Sequence, residues 1–185
     1  MTVWISMLRG VNVGPHNRIK MDALRGVYES LRLADPRTYV QSGNVLFRAK
    51  QQNPVTLASK IQSGIEDAFG FRPAVILRTT EEFKAAIAAN PFAKRRDVEP
   101  PKLLVTFLSG EPGAEAQATI RGLKADREEL QLIGRELYIY FPDGAGKSKL
   151  PWSSVERLLK VTGTARNLNS VVKMMEMAEA MERLE

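Results

Sequence analysis

The stretch TYVQSGNVLFR (residues 38–48) decides how the first half of this 185-residue chain is interpreted. Two short extended pieces are joined at Ser42-Gly43-Asn44. Glycine and asparagine adopt positive φ angles at low cost, and tight hairpin turns require such angles. The stretch therefore predicts a β-hairpin.

The sequence before this hairpin predicts one strand and one helix, and the sequence after it predicts another helix and another strand. Residues 2–8 are β-branched and aromatic, as in a strand, and residues 20–33 form an apolar helical stripe that ends before Pro36. Beyond the hairpin, residues 54–69 predict a second helix and residues 71–79 another strand. The order β-α-β-β-α-β is that of the ferredoxin-like arrangement, an antiparallel sheet with both helices on one face.

The second half repeats this scheme imperfectly. Its predicted elements are a helix after Thr79, a strand at 102–109, a helix within 111–123, strands at 127–133 and 136–141, a helix at 153–161 and a last helix at 167–184. We expect a second unit that has exchanged its final strand for a helix. The predicted fold class is α+β, with two ferredoxin-like (βαββαβ-type) subdomains over residues 1–79 and 80–185, antiparallel sheets and a C-terminal helix.

Composition excludes several functional classes. The chain has no cysteine, which excludes disulfides, zinc thiolate sites and thiol catalysis. No apolar run approaches the length of a membrane span, and the N-terminus lacks the basic start of a signal peptide. We therefore expect a cytoplasmic protein without membrane contact.

The positive charge is unevenly distributed. Residues 1–78 contain eleven Lys/Arg and five Asp/Glu, whereas residues 79–185 contain sixteen of each. The whole net charge of +6 therefore lies in the first half, where it can steer anions toward one surface. The alternative is that this charge only keeps the protein soluble.

The segment RGVNVGPHNRIK (residues 9–20) is the most chemically suggestive part of the chain. Gly10 and Gly14 allow close approach of a ligand, and successive backbone N–H groups at such turns can form an anion nest. The side chains of Arg9, Arg18 and Lys20 can add charge-assisted hydrogen bonds. Pro15 removes one N–H donor, and the alternative is a connecting loop whose glycines serve geometry only.

Two later segments carry weaker signals for anion binding. DGAGKSKL (residues 143–150) fails the P-loop pattern, because Phe141 stands where that pattern needs glycine, so we interpret it as a polar turn to which Lys147 adds positive charge. Arg166 and Asn167 precede the predicted last helix, where they can either cap the helix or bind an anion at its N-terminus.

No catalytic or metal-binding group stands out. The carboxylates form no evident pair, and a lone histidine, His16, supports neither a catalytic triad nor a metal site. We predict no catalytic residue, no metal and no cofactor, and we leave open whether the chain is an enzyme and what its oligomeric state is.

Three segments together resemble the bacterial family called domain of unknown function 1697 (DUF1697). They are RGVNVGPHNRIKM, TYVQSGNVLF and DGAGKSKL followed by TARNLNSVVKM, and they span nearly the whole chain in order. The resemblance implies two ferredoxin-like subdomains and no established reaction. The chain departs from the family pattern at Pro15 and His16, where Gly-Lys is usual, and at Leu168, where Trp is usual.

We hypothesise that the protein binds a phosphate-bearing, anionic ligand, either nucleic acid or a phosphorylated small molecule. The predicted ligand-binding residues are Arg9, Gly10, Asn12, Gly14, Asn17, Ser42, Asn44, Lys147, Arg166 and Asn167. For Ser42 and Asn44 the alternative is that they only cap the turn. Two alternative functions stay open: an enzyme acting on a phosphorylated small molecule, and an assembly or interaction protein that uses the C-terminal helix.

Overall fold

The structure is a computed structural model that describes residues 1–123, 125–150 and 152–184. Its helices and strands, in chain order, are β1 (Thr2–Leu8), α1 (Met21–Ser30), β2 (Ala34–Tyr39), β3 (Asn44–Ala49), α2 (Pro54–Phe69), β4 (Val75–Thr79), α3 (Thr80–Ala88), β5 (Leu103–Leu108), α4 (Ala114–Gly122), β6 (Glu129–Ile133), β7 (Glu136–Tyr140), α5 (Trp152–Leu159), β8 (Gly163–Asn167) and α6 (Leu168–Glu182). They divide between two compact units, Met1–Lys84 with Met174–Glu185, and Ala85–Lys173.

The first unit contains a four-stranded antiparallel sheet in the order β2-β3-β1-β4. The hairpin predicted from residues 38–48 is confirmed, because β2 and β3 pair directly and Tyr39 faces Asn44 across the turn. This strand order, with a helix after β1 and another after β3, confirms the ferredoxin-like prediction.

The core of the first unit lies between this sheet and helices α1 and α2. The two helices bury Met21, Leu24, Val27 and Tyr28, and Leu57, Ile61 and Ile65, respectively. Phe47 of β3 meets the ring of Tyr28 edge-on, with ring centroids 5.3 Å apart. The Tyr28 hydroxyl also shares a 2.7 Å hydrogen bond with Ser6, and burial raises the pKa of Tyr28 above its ordinary value.

Strand β2 starts earlier than the sequence indicated. Pro36 was expected to mark the end of the preceding helix; α1 ends at Ser30, and Pro36 lies inside β2. The strand tolerates it because β2 is at the edge of the sheet, and because the register shifts between Ala34 and Arg37, where Asp35 has a φ of 48°.

The second unit contains a four-stranded antiparallel sheet in the order β6-β7-β5-β8. The expectation that its final strand had been exchanged for a helix is wrong, since residues Gly163–Asn167 form β8 and pair with β5. Gly163 allows this pairing, because a Cβ there would lie 2.8 Å from a methyl of Leu108 and 2.9 Å from the methyl of Thr106. The fold class is therefore two complete ferredoxin-like units with antiparallel sheets and a C-terminal helix.

Helices α4 and α5 cover one face of the second sheet. Its core contains Leu108 of β5, Ile120 of α4, Leu137 and Ile139 of β7, and Val155 and Leu159 of α5. Among the described residues, no helix is both long and apolar enough to cross a bilayer.

Candidate functional site

Residues 9–20, which we call the cationic loop, are held in a defined shape by one side chain. The Nδ2 atom of Asn12 donates to the carbonyls of Gln41 (2.7 Å) and Ile19 (3.0 Å), while its Oδ1 accepts from the Ile19 N–H (2.8 Å). The backbone N–H of Asn12 also donates to the Asn17 carbonyl at 3.1 Å. Both amide hydrogens of the Asn12 side chain are therefore used in internal hydrogen bonds, which order the loop.

The backbone of the cationic loop explains its glycines and asparagines. Gly10, Asn12, Gly14 and Asn17 have φ angles of 72°, 56°, 67° and 54°. This left-handed region is costly for most residues, while glycine and asparagine occupy it readily. The four residues were predicted to bind a ligand. In the structure, each allows the backbone of the loop to adopt a positive φ angle.

The exposed surface of the cationic loop is positively charged. Arg9, His16, Arg18 and Lys20 are exposed, while Val11 and Ile19 are buried and anchor the loop to the core. Residues 9–20 include no aspartate or glutamate. In the part of the chain that the structure describes, Arg18 and Lys20 form no ion pair. The loop therefore presents fixed positive charge to solvent.

Ser42 and Asn44 lie in the hairpin turn beside this loop. Asn44 is fully buried, and its Nδ2 donates to the Ser42 hydroxyl (2.9 Å) and the Tyr39 carbonyl (3.2 Å). The Gly43 carbonyl accepts from the Leu8 N–H at 2.9 Å. The structure thus brings the seven predicted residues of the first unit together at one end of its sheet, where the amides of Asn12 and Asn44 stabilise the loop and the turn.

Lys147, Arg166 and Asn167 belong to the second unit. Asn167 caps α6, because its Oδ1 accepts from the Ser170 N–H at 2.9 Å. Arg166 donates to the Thr164 hydroxyl and to the Ala165 carbonyl, both at 2.8 Å, and burial lowers its pKa to about 10. Lys147 is exposed in the segment between β7 and α5.

Residues 141–150, which we call the lysine loop, follow β7 and mix both charges. Lys147 and Lys149 line a small cavity of about 60 Å³ together with Asp126, Glu128 and the Arg127–Asp143 ion pair. Ser148 donates a short hydrogen bond to Glu128, which lowers the pKa of that carboxyl. Acidic and basic groups are therefore balanced around this cavity.

Two larger cavities lie away from the predicted residues. An open polar cavity of about 490 Å³ in the first unit carries three glutamates, Glu81, Glu82 and Glu182. Its charge is unfavourable for phosphate, and the described residues contain no cluster that could hold a metal ion. A second cavity, of about 250 Å³, lies in the second unit and is mainly apolar.

The apolar stripe of α6, which the sequence predicts to dock either on the body of the protein or on a second copy, is largely buried in the folded chain. Val171, Met175, Ala178 and Met181 are each 7% exposed or less. These four side chains therefore pack within the chain, as the first of the two alternatives expects.

Comparison with known proteins confirms the family resemblance. Residues 1–138 match the family described as "Protein of unknown function (DUF1697)". The chain belongs to this family. Seven of the ten predicted site residues fall within the DUF1697 match, while Lys147, Arg166 and Asn167 lie beyond it.

A solved structure of a conserved bacterial protein from Streptococcus pneumoniae is similar to this DUF1697 chain. The two are 24% identical and superpose with a TM-score of 0.73, over 97% of this chain and 99% of the other. At this identity the likeness establishes the fold alone. No curated protein matches the chain significantly.

Sequence reasoning missed the apolar cavity of the second unit. Its wall includes Thr106, Phe141 and Trp152. Thr106 and Phe141 stand in segments predicted as ordinary strands, and Trp152 directly precedes the helix predicted at 153–161. One signal was available, since Thr106 interrupts the apolar run LLVTFL of β5. A single polar residue in such a run does not by itself distinguish a cavity from a hydrogen-bonded core position.

Proposed function

We propose that the protein binds a phosphate-bearing partner through the cationic loop, and that this partner is nucleic acid. The observation that carries the proposal is the exposure of Arg18 and Lys20, without ion pairs among the described residues, on a loop with no acidic residue. Other arginines of the first unit are neutralised nearby, in the pairs Arg25–Asp22, Arg37–Asp35 and Arg72–Glu66.

The order of the loop favours binding. The three hydrogen bonds of the Asn12 side chain fix the loop before any ligand arrives. A preformed loop loses less conformational entropy on association than a flexible one. Arg18 and Lys20 can therefore meet phosphates from a backbone that is already positioned.

The form of the surface favours an extended polyanion over an enclosed small molecule. Neither of the two larger cavities is lined by a residue of the cationic loop. Phe47, the aromatic residue of β3, is fully buried against Tyr28 and offers no ring for a base to stack on. We therefore infer binding that is dominated by phosphate contacts and insensitive to base sequence.

Salt-dependent binding to labelled RNA and DNA tests this proposal. We expect binding at about 50 mM salt that weakens steeply by about 200 mM, because each neutralised phosphate contributes a slope of about 0.9 on a logarithmic plot for duplex DNA. Fluorescence anisotropy with single- and double-stranded oligonucleotides of two unrelated sequences would measure it. Absence of binding at the lower salt would end the proposal.

A pair of charge-matched variants locates the surface. Arg18→Gln with Lys20→Gln should lower the salt slope by about 2 for duplex DNA. The control removes two exposed cations outside the loop, Lys94→Gln with Arg96→Gln, and has the same net charge. Equal losses in the two variants would contradict a specific role for the cationic loop and would indicate attraction by net charge only.

A further inference from the structure

We infer that the apolar cavity of the second unit binds a small, uncharged aromatic molecule with one hydrogen-bonding group. The cavity of about 250 Å³ lies against the helix-covered face of the sheet. Leu104 and Thr106 of β5, Ile139 of β7 and Ala165 of β8 form its floor, since Leu104 pairs with Ile139 and Thr106 with Ala165. This inference does not depend on nucleic-acid binding.

Small side chains in its lining leave part of the cavity volume unfilled. Trp152, the first residue of α5, lines the cavity as well. Ala165 on the floor and Ala145 in the lysine loop contribute only methyl groups. Leucine at either position would occupy part of this volume.

Thr106 is the second observation that indicates a ligand. The residue is fully buried and lines the cavity, and its hydroxyl has no hydrogen-bond partner in the described structure. A buried polar group without a partner costs about 1–3 kcal/mol. In the inferred complex a ligand atom supplies this partner, and rotation about the Thr106 Cα–Cβ bond turns the buried hydroxyl toward the cavity. Ser148 does not compete for this role, because its hydroxyl already bonds Glu128 and the Leu150 N–H.

The remaining walls define the ligand class. Phe141 and Trp152 supply aromatic surfaces, and no ionisable side chain is among the lining residues that the structure describes. Burying a charged group here would therefore carry an uncompensated desolvation cost. A cavity of about 150 Å³ holds benzene, so this one has room for about two fused rings. The geometry points to a bicyclic heteroaromatic molecule rather than to a phosphate or an amino acid.

Binding of indole and quinoline by the full chain tests the inference. Amide shifts in ¹H–¹⁵N NMR spectra should move for residues of β5, β7 and β8 around Thr106, Ile139 and Ala165. Thr106→Val, which keeps the shape and removes the hydroxyl, should weaken both probes about tenfold or less, the loss of one hydrogen bond. Thr119→Val, on the exposed side of α4, should leave binding unchanged.

Filling the cavity gives the stronger test. Ala165→Leu should abolish binding, and the exposed Ala145→Leu provides the same test if the first variant fails to fold. Shifts that persist in both leucine variants, or no shifts at millimolar probe, would overturn the inference. Arg18→Gln with Lys20→Gln should bind the probes normally, which separates this site from the nucleic-acid proposal.

Discussion

The cationic loop and the lysine loop have similar ingredients and different chemistry. Both follow a strand, and both contain glycine and basic residues. In the first, Asn12 ties the backbone together and no acidic residue is present. In the second, Glu128 and the Arg127–Asp143 pair lie beside the lysines. Glycine and lysine content alone therefore does not identify a phosphate site, because Asp143 within the loop and residues 126–128, just before β6, set the local charge.

Among the variants that test this comparison, Asn12→Ala should cause the largest loss of stability. The substitution leaves the Ile19 N–H and the carbonyls of Ile19 and Gln41 without their partner, so the free energy of unfolding should fall by about 3 kcal/mol. Chemical denaturation would measure this loss. If the loop is preformed for binding, the affinity for labelled RNA should fall with it.

Asn17→Ala is the matched control. Asn17 has nearly the same φ, 54° against 56°, but its side chain makes one long bond of 3.4 Å to the Gly10 carbonyl. Both variants place an alanine in the left-handed region, which costs about 1 kcal/mol of unfolding free energy. Asn17→Ala should lose little more than this amount. An equal loss at both positions would show that backbone strain, and not the Asn12 hydrogen bonds, holds the cationic loop.

A pair of glycine substitutions compares the packing of the hairpin turn beside the cationic loop with the packing of the lysine loop. Gly43 has a φ of 75°, and a Cβ there would lie 2.9 Å from the Leu8 Cβ and 3.3 Å from the Val11 Cβ. Gly144 of the lysine loop has a φ of 87° and open space around it. Gly43→Ala should cost about 2–3 kcal/mol and Gly144→Ala about 1 kcal/mol of unfolding free energy. Similar thermal shifts in the two variants would contradict the close approach at the hairpin turn.

In the second unit, two asparagines that are close in sequence, Asn167 and Asn169, should also differ in their effect on stability. Asn167→Ala should lower the free energy of unfolding by about 1 kcal/mol, because it removes the cap of α6. Asn169→Ala, two residues later and exposed, should be nearly neutral. If the Asn169 variant is the less stable one, the assignment of the cap is wrong.

The fold was largely readable from the sequence because local and global signals agree. Ser42-Gly43-Asn44 gave the hairpin, and the apolar stripes of α1 and α2 gave the layer order. Strand β8 was missed because its residues, Gly163 to Asn167, are mostly small or polar and resemble a helix cap region. Only pairing with β5, which is distant in sequence, makes them a strand.

The site was less readable, for a physical reason. Composition identified the charge of the cationic loop, but it could not show that Asn12 and Asn44 use their amides internally. Nor could it show that the Thr106 hydroxyl has no hydrogen-bond partner among the described residues, since the partners of a buried hydroxyl depend on tertiary neighbours. Whether the ten predicted residues contact a ligand stays a prediction.

The smallest expected effect concerns the charge balance of the lysine loop. The hydrogen bond from Ser148 is the main cause of the lowered pKa of Glu128. A lowered folded pKa stabilises the protein above the unfolded pKa, and this contribution is lost as pH falls through the folded value. Ser148→Ala should therefore move the Glu128 pKa up toward its ordinary value of 4.5, with a stability difference that shrinks in acid.

Carboxyl ¹³C titration would measure this change, with Ser153→Ala as a control at an exposed serine. An unchanged Glu128 pKa would mean that the hydrogen bond does not hold the carboxylate. The outcome bears on the comparison of the two loops, because a Glu128 that is charged at neutral pH keeps a negative group beside Lys147 and Lys149. Phosphate affinity at the lysine loop should then appear only when that carboxylate is removed, as in Glu128→Gln, whereas the cationic loop needs no such change.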